Sequence, residues 1–236
     1  MRVALATHST RATSAGDRTA SSGGGAYVLP DKTVEVGSTK WLTLETLTYV
    51  DRRGAERKWD RCARRSGKQR DVGAIDAVAV FAVMEGGSLT EPEVVLVKQF
   101  RPPAQCYTIE LPAGLVDEGE SPVEAAVREL REETGMVADA SDCTQSVPLL
   151  LSPGLSSENV VLVRVAVDMD RAENQPGVSR QDLDEGEDIE LIRCPLSQLL
   201  PTLVTLHGEG VQIFAGLYTL ALGMAASAGT VAAPRL

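Results

Sequence analysis

The chain has 236 residues, of which 43% are hydrophobic, and its formal net charge is -10. This length favours one large domain, or a catalytic domain with a smaller appendage, and the apolar content is sufficient for a core. The negative charge argues against a nucleic-acid or anionic-membrane partner held by long-range attraction. It does not exclude an anionic small substrate, because a bound divalent cation would invert the local charge.

The N-terminal residues are predicted to form a tail. Ser, Thr, Ala and Gly dominate residues 1–26, where large apolar residues are almost absent, and such a composition cannot bury enough surface to fold. We therefore assign residues 1–35 to a disordered tail. Its few arginines give it a weak resemblance to a mitochondrial presequence, the alternative being plain disorder.

The cysteines bear on the compartment. Four of them are widely spaced, with no Cys-x-x-Cys pair and no nearby histidine, so they indicate neither a zinc site nor a disulfide framework. We expect reduced thiols and a cytoplasmic protein. The nucleus is an alternative, and the mitochondrion a weaker one.

Residues 36–70 are predicted to form a small N-terminal antiparallel sheet. Apolar and polar residues alternate in residues 41–49 and 58–63, and Gly54 lies in the turn between them, which is typical of a hairpin.

Residues 71–236 are predicted to form the main domain. Val-rich segments predict buried strands, and these are AIDAVAVFAVME, EVVLVKQFR, CYTIELPAG, VVLVRVAV and IELIRC. Helices are expected at residues 121–135, in PLSQLLPTL and in residues 211–234. Strands mixed with two or three helices indicate an α/β or α+β sandwich.

The segment of residues 211–234 carries no formal charge and is long enough to cross a bilayer. Glycines interrupt it, and its apolar residues recur at the spacing of a helix that packs against a core. We predict a buried terminal helix and no membrane partner.

The helix at residues 121–135 has well-defined start and stop signals. Ser121 is a candidate N-cap, Pro122 takes the first helical position, and Glu124 completes a capping box. Gly135 is placed to end the helix. A turn of about 100° per residue predicts one apolar face, formed by Val123, Ala126, Val127 and Leu130.

Acidic residues are concentrated in and just before this helix. On the helix, Glu129, Glu132 and Glu133 fall on a second face, where like charges at this spacing disfavour one another. A hard divalent cation such as Mg²⁺ would relieve the repulsion, because it prefers carboxylate oxygens. Taken alone, however, the cluster is more typical of a solvated acidic face paired with arginines.

The spacing of the whole stretch resembles the signature of the Nudix hydrolases. The matching residues are Gly114, Glu120, Arg128-Glu129-Leu130, Glu132-Glu133, Gly135 and Met136. The resemblance implies an α/β/α sandwich with a mixed sheet. It also implies Mg²⁺-dependent cleavage of a pyrophosphate bond linked to a nucleoside, with Mn²⁺ as a possible substitute for Mg²⁺.

The resemblance also implies roles for particular residues. Glu129, Glu132 and Glu133 would bind the metal together with the backbone carbonyl of Ala113, and Glu132 and Glu133 would be catalytic. Glu187, in an acidic loop, would serve as the base or as a partner of the metal and water. A loop acid in so acidic a segment is otherwise simply solvated.

Residues 40 to the C-terminal helix look like the ADP-sugar pyrophosphatase branch, whose best-known substrate is ADP-ribose. The substrate-binding residues that this implies are Trp41, Trp59, Asp60, Arg64, Arg101 and Leu115. The two tryptophans, one from each subunit of a homodimer, would sandwich the adenine, so residues 36–70 would also mediate dimerisation. Both tryptophans would otherwise be core or interface residues, whereas Arg64 and Arg101 suit a diphosphate.

The sequence leaves two other functions open. One is hydrolysis of another nucleoside diphosphate derivative, such as an oxidised nucleotide or a diadenosine polyphosphate. The other is a non-catalytic sensor that binds ADP-ribose. ADP-glucose and ADP-mannose are further substrate alternatives, because selectivity for the distal sugar depends on loop shape.

Overall fold

A computed structural model describes residues 25–65 and 74–229. The chain divides into two compact units, Met1–Arg65 and Ser66–Leu236. The predicted disorder of residues 1–24 and the predicted domain boundary at residue 70 lie outside the described residues.

The first unit is a three-stranded antiparallel sheet in the order β1-β2-β3. Its strands are β1 (Tyr27–Ser38), β2 (Leu42–Val50) and β3 (Glu56–Arg64). The predicted hairpin corresponds to β2 and β3, and Gly54 in its turn has φ 81°. A positive φ of this kind favours glycine, because glycine has no Cβ to clash.

The extension of the disordered tail to residue 35 is wrong, since β1 begins at Tyr27. Composition was a poor guide at this point. Most side chains of β1 are exposed, and the strand is instead held by backbone pairing with β2. An edge strand of this kind needs hydrogen-bonding partners more than buried side chains.

The second unit is built around a mixed sheet, with nine strands among its described residues. Strands β4 and β10 run parallel at its centre, and β5 lies antiparallel to β4. The order is β12-β6-β5-β4-β10-β8, with β11 paired to β5, β7 to β4 and β9 to β10. The strands are β4 (Ala77–Glu85), β5 (Glu93–Arg101), β6 (Cys106–Glu110), β7 (Ala113–Leu115), β8 (Cys143–Gln145), β9 (Leu149–Leu150), β10 (Asn159–Asp168), β11 (Ile189–Pro195) and β12 (Gln212–Ile213).

Helices cover both faces of this sheet. One core cluster contains Ala126 and Leu130 of α1 (Pro122–Thr134), and the other contains Leu203 of α2 (Leu199–Gly208) and Leu217 of α3 (Ala215–Ser227). Successive residues of β4 alternate between the two clusters, as the period of two in a strand requires. The predicted α/β sandwich is thereby confirmed.

Residues 211–234 do not form one continuous helix. Val211 precedes the short strand β12, and α3 begins at Ala215. In the described ranges, no helix is both long and apolar enough to span a bilayer.

Candidate active site

Helix α1 has the ends that the sequence predicts. The Glu124 amide donates to Ser121 Oγ at 3.3 Å, and the Ser121 amide donates to Glu124 Oε2 at 2.8 Å, so the capping box is complete. At the other end, Gly135 has φ 73° and its amide donates to the Arg131 carbonyl at 2.8 Å. Both ends of the acidic helix are therefore fixed by local hydrogen bonds.

The buried face of α1 differs from the prediction. Val123 and Val127 are only half-buried, whereas Glu133 is 3% exposed. Glu133 was placed with the other glutamates on a separate face. Its burial is offset by a hydrogen bond, because the amide of Ala113 in β7 donates to Glu133 Oε2 at 3.1 Å.

Arg128 donates hydrogen bonds to three of the glutamates. Its Nε and Nη2 donate to the two carboxylate oxygens of Glu120, each at 2.9 Å. Its Nη1 donates to Glu129 at 2.7 Å and to Glu132 at 3.0 Å. Nη2 also donates to the carbonyl of Leu115, at 2.9 Å. One guanidinium thus holds the loop before α1 and two turns of the helix together, as the pairing of arginine with the acidic face predicts.

Gly114 leaves room for the carboxylate of Glu129. A Cβ at this position would overlap that carboxylate. Gly114 lies in β7 and pairs with Val78 of β4, so its backbone is held by the sheet. The glycine of the motif is thus explained by a close approach of side chain to backbone, with no need for an unusual φ.

Two of the glutamates resist ionisation in the metal-free protein. Burial raises the pKa of Glu133 to about 8, and the negative charges of Glu129 and Glu187 add to the shift. Burial also raises the pKa of Glu129, against the effect of Arg128, with contributions from Glu132 and Glu187. These mutual effects place Glu187 within electrostatic range of both helix residues.

Arg101 is held at the end of β5 by a neighbouring strand. Its Nε and Nη2 donate to the two carboxylate oxygens of Glu110 at 2.8 and 2.9 Å, and Thr108 Oγ1 donates to the same carboxylate at 2.6 Å. The Glu110 hydrogen bond raises the pKa of Arg101, with smaller contributions from Glu133 and Glu187. Arg101 is therefore an oriented cation beside the acidic groups.

Glu187 lies in the loop before β11. Its Oε2 accepts a hydrogen bond from the amide of Asp184 at 3.0 Å. This loop also touches α1, since the amide of Asp182 donates to the Glu132 carbonyl at 2.8 Å and Gln181 Nε2 donates to the Glu133 carbonyl at 2.7 Å. Gln181 was not predicted, because a lone glutamine in a polar loop carries no sequence signal.

Leu115 and Ala113 flank Gly114 in β7. The side chain of Leu115 is exposed, and its carbonyl is one of the Arg128 acceptors. The backbone amide of Ala113 donates a hydrogen bond to the Glu133 carboxylate. Within the second unit, the structure therefore brings the predicted residues Ala113, Leu115, Glu129, Glu132 and Glu133 together.

The other predicted residues belong to the first unit. Trp41 and Trp59 are 65% and 54% exposed, so neither is a core residue. Thr46 Oγ1 donates to Asp60 Oδ1 at 2.6 Å across β2 and β3, and Arg64 ends β3. The ammonium of Lys40 lies over the Trp41 ring, 4.2 Å from its centroid.

The donor set suits a hard divalent cation in type, because it consists of carboxylates. No three Asp, Glu, His or Cys side chains in residues 25–65 and 74–229 are already arranged to hold a metal ion. Glu129 and Glu132 point to Arg128 instead.

A cavity of about 410 Å³ lies elsewhere, at the ends of β4 and β10. Acidic residues dominate its lining, namely Glu85, Asp139, Asp142 and Asp168, with Arg171 as the one cation. This lining repels a diphosphate, so the cavity is not the candidate site.

Comparison with known proteins agrees with this arrangement. The NUDIX domain model matches residues 75–212. The chain is 40% identical over 198 residues to an uncharacterised Nudix hydrolase of Schizosaccharomyces pombe, covering 84% of this chain and 92% of that protein. It is 35% identical over 190 residues to the ADP-ribose pyrophosphatase of Saccharomyces cerevisiae, covering 80% and 79%. It is 37% identical over 200 residues to the ADP-sugar pyrophosphatase of Mus musculus, covering 82% and 84%.

Among solved structures, that of an ADP compounds hydrolase matches with a TM-score of 0.56 at 22% identity, covering 88% of this chain and 97% of that one. At this identity the likeness concerns the fold alone. The family model, the relatives and the glutamate motif on α1 all lead to the same assignment, and the chain belongs to the Nudix family.

Proposed function

We propose that this protein hydrolyses the pyrophosphate bond of ADP-ribose, and of related ADP-sugars, to AMP and a sugar phosphate. The observation that carries the proposal is the set of carboxylates on α1 and the adjoining loop beside the oriented guanidinium of Arg101. The names of the relatives from Saccharomyces cerevisiae and Mus musculus support the choice of substrate.

In this proposal Glu129, Glu132, Glu133 and the carbonyl of Ala113 hold Mg²⁺, with Mn²⁺ as a substitute. When bound, the metal supplies charge neutralisation for the diphosphate and a lowered pKa for water. Arg101 binds the diphosphate with the donors that Glu110 leaves available, and Leu115 contacts the substrate. Glu187 accepts a proton from the attacking water, a role that fits its place on an exposed loop beside Glu129 and Glu133.

The adenine is proposed to stack between tryptophans of two subunits. The register supports this, because Trp59 pairs with Leu47 while the carbonyl of Trp41 accepts from the amide of Arg65. At about 3.4 Å per residue, Trp59 and Arg65 are about 20 Å apart along the sheet. The two tryptophans of one chain would then be too far apart to cover both faces of one base, so the proposed sandwich takes its second tryptophan from another subunit. Asp60 would then accept from the adenine amino group, and Arg64 would contact the diphosphate.

The dimer has its own test. Sedimentation should show a dimer, and a Trp41→Ala or Trp59→Ala variant should bind ADP-ribose about 5- to 150-fold more weakly, since base stacking contributes about 1 to 3 kcal/mol. A monomeric protein with wild-type affinity for ADP-ribose would contradict the shared sandwich.

The reaction is tested by product analysis with ADP-ribose, with and without Mg²⁺. AMP and ribose 5-phosphate should form only with metal. Glu133→Gln should remove most of this activity, and Glu187→Gln should lower kcat about 100-fold or more with little change in substrate binding. Binding without cleavage would indicate the sensor, and neither binding nor cleavage would indicate another nucleotide substrate.

The compartment is proposed to be the cytoplasm, on the basis of the four thiols. Cys62, Cys106, Cys143 and Cys194 are all free of disulfides, as expected in a reducing compartment. Cell fractionation tests this, and recovery in mitochondria would favour a presequence in the tail. Nucleic acid and membrane surfaces are not proposed as partners, because the net charge of the chain is negative.

A further inference from the structure

The loop that carries Glu187 is fastened to the end of α1 by two adjacent residues. Gln181 Nε2 donates to the Glu133 carbonyl at 2.7 Å and also to the Ile189 carbonyl at 3.1 Å. The amide of Asp182 donates to the Glu132 carbonyl at 2.8 Å. The single amide group of Gln181 thus joins the helix, the start of the loop and the start of β11.

Two of these acceptors, the carbonyls of Glu132 and Glu133, belong to the last turn of α1. The last four carbonyls of an α-helix have no intrahelical partner, and in α1 the Gly135 amide satisfies only that of Arg131. The loop supplies donors for Glu132 and Glu133. Gly135 also allows the close approach, since a Cβ there would lie 2.6 Å from the backbone carbon of Arg180.

The same fastening sets the position of Glu187. In the antiparallel pairing of β11 with β5, Ile189 is opposite Gln99. This pairing ends two residues after Glu187 on one strand and two residues before Arg101, the last residue of β5, on the other. The contribution of Glu187 to the electrostatic surroundings of Arg101 and Glu133 agrees with that placement.

We propose that Gln181 is a positioning residue, which holds the Glu187 loop against the C-terminal turn of α1 so that the Glu187 carboxylate faces Glu129 and Glu133. This inference rests on the proposed function, because it gives Gln181 a part in the same reaction. Within the part of the chain that the structure describes, the side-chain amide of Gln181 donates to backbone carbonyls of α1 and β11. Its effect is therefore expected in turnover, with substrate binding largely preserved.

The test compares three substitutions in the full-length protein with Mg²⁺ and ADP-ribose. Gln181→Ala removes the donor and should lower kcat about 10- to 100-fold, the effect of misplacing a reacting group by about 1 Å. Gln181→Glu keeps the shape but faces two carbonyls with a carboxylate, so it should be at least as impaired. The matched control is Gln175→Ala, which removes a similar bond from Gln175 Nε2 to the Met169 carbonyl at 2.6 Å and should leave kcat unchanged.

A double variant separates positioning from general destabilisation. If Gln181 acts through Glu187, Gln181→Ala combined with Glu187→Gln should have the kcat of Glu187→Gln alone. KM should stay within about twofold in the Gln181 variants. Independently of activity, hydrogen exchange should be faster at residues 182–188 in Gln181→Ala than in the wild type or Gln175→Ala.

Each outcome has a distinct meaning. A wild-type enzyme that cleaves ADP-ribose, with kcat unchanged in Gln181→Ala or with losses that add in the double variant, overturns this inference and leaves the proposed function intact. Absence of cleavage by the folded wild type with metal overturns the proposed function, and the role of Gln181 in turnover falls with it. Unchanged hydrogen exchange at residues 182–188 in Gln181→Ala overturns the fastening itself.

Discussion

Replacing Gly114 with alanine tests whether the Nudix glycine serves to place Glu129. The new methyl group would occupy the space of the Glu129 carboxylate. The backbone of Gly114 cannot easily move aside, since β7 pairs with β4 at Val78. Because a glutamate side chain has flexible torsions, we expect its carboxylate to move and the strand to stay.

The size of the effect follows from these contacts. The carboxylate must retreat to ordinary van der Waals distance, which displaces it by more than about 1 Å and should cost about 100-fold in kcat. Stability should change much less, since replacing glycine with alanine at a tolerated φ contributes about 0.4 to 1 kcal/mol. This gain in stability offsets part of the loss of the hydrogen bond between Glu129 and Arg128. The Tm should therefore shift by less than about 4 °C.

The assay measures kcat for ADP-ribose with saturating Mg²⁺, Mn²⁺ affinity by calorimetry, and Tm. Gly223→Ala is the matched control, because Gly223 lies on α3 with open space around its Cα. That variant should keep its kcat and gain up to about 1 kcal/mol, as expected for alanine in a helix. Wild-type kcat and metal affinity in Gly114→Ala would refute the reasoning, since Glu129 would then not need the space beside this glycine.

Two further predictions concern the metal-free protein. The pKa of Glu133 is raised from 4.5 to about 8 in the folded state, so the folded protein binds a proton that the unfolded chain releases. The free energy of unfolding in EDTA should therefore fall as pH rises from about 5 to about 8, by at most about 1.4 kcal/mol per pH unit. Urea denaturation should show this pH dependence in the wild type and lose it in Glu133→Gln. Equal pH dependence in the two proteins would contradict the assignment to Glu133. Arg128→Met should lower the free energy of unfolding in EDTA by about 2 kcal/mol, because the carboxylates around Arg128 would lose their shared positive charge. Added Mg²⁺ should recover part of that loss, and an unchanged urea midpoint in EDTA would argue against the network.

Local signals were sufficient for the acidic helix. Ser121, Glu124 and Gly135 act on neighbouring backbone groups, so their effect can be predicted from spacing alone. The same holds for the Val-rich strands, whose burial follows from their composition. Family resemblance then supplied residues that no local signal marks, such as Arg101 and Glu187.

The two errors have different causes. Part of strand β1 was assigned to the tail from composition, which does not report the backbone pairing of β1 with β2, only three residues further along the chain. Glu133 was placed on a face apart from the apolar residues of α1, whereas it is buried and accepts a hydrogen bond from the Ala113 amide of β7. The strands β8, β9 and β12 are two or three residues long, too short for any periodicity to show.

The positive charge of Arg128 bears directly on the proposed metal site of α1. Repulsion among the glutamates was the reason to expect a cation, and the Arg128 guanidinium places a positive charge beside Glu120, Glu129 and Glu132. Glu129 and Glu132 already face the positive charge of Arg128, whereas Glu133, whose pKa burial raises to about 8, would have to be ionised to hold Mg²⁺ as proposed. Metal binding should thus release protons near pH 7. Calorimetry in buffers of different ionisation enthalpy measures this release, because the observed binding enthalpy then changes from buffer to buffer. Glu133→Gln should abolish that release, and a wild-type protein that binds Mg²⁺ at pH 7 without releasing protons would show that Glu133 is already ionised in the metal-free state.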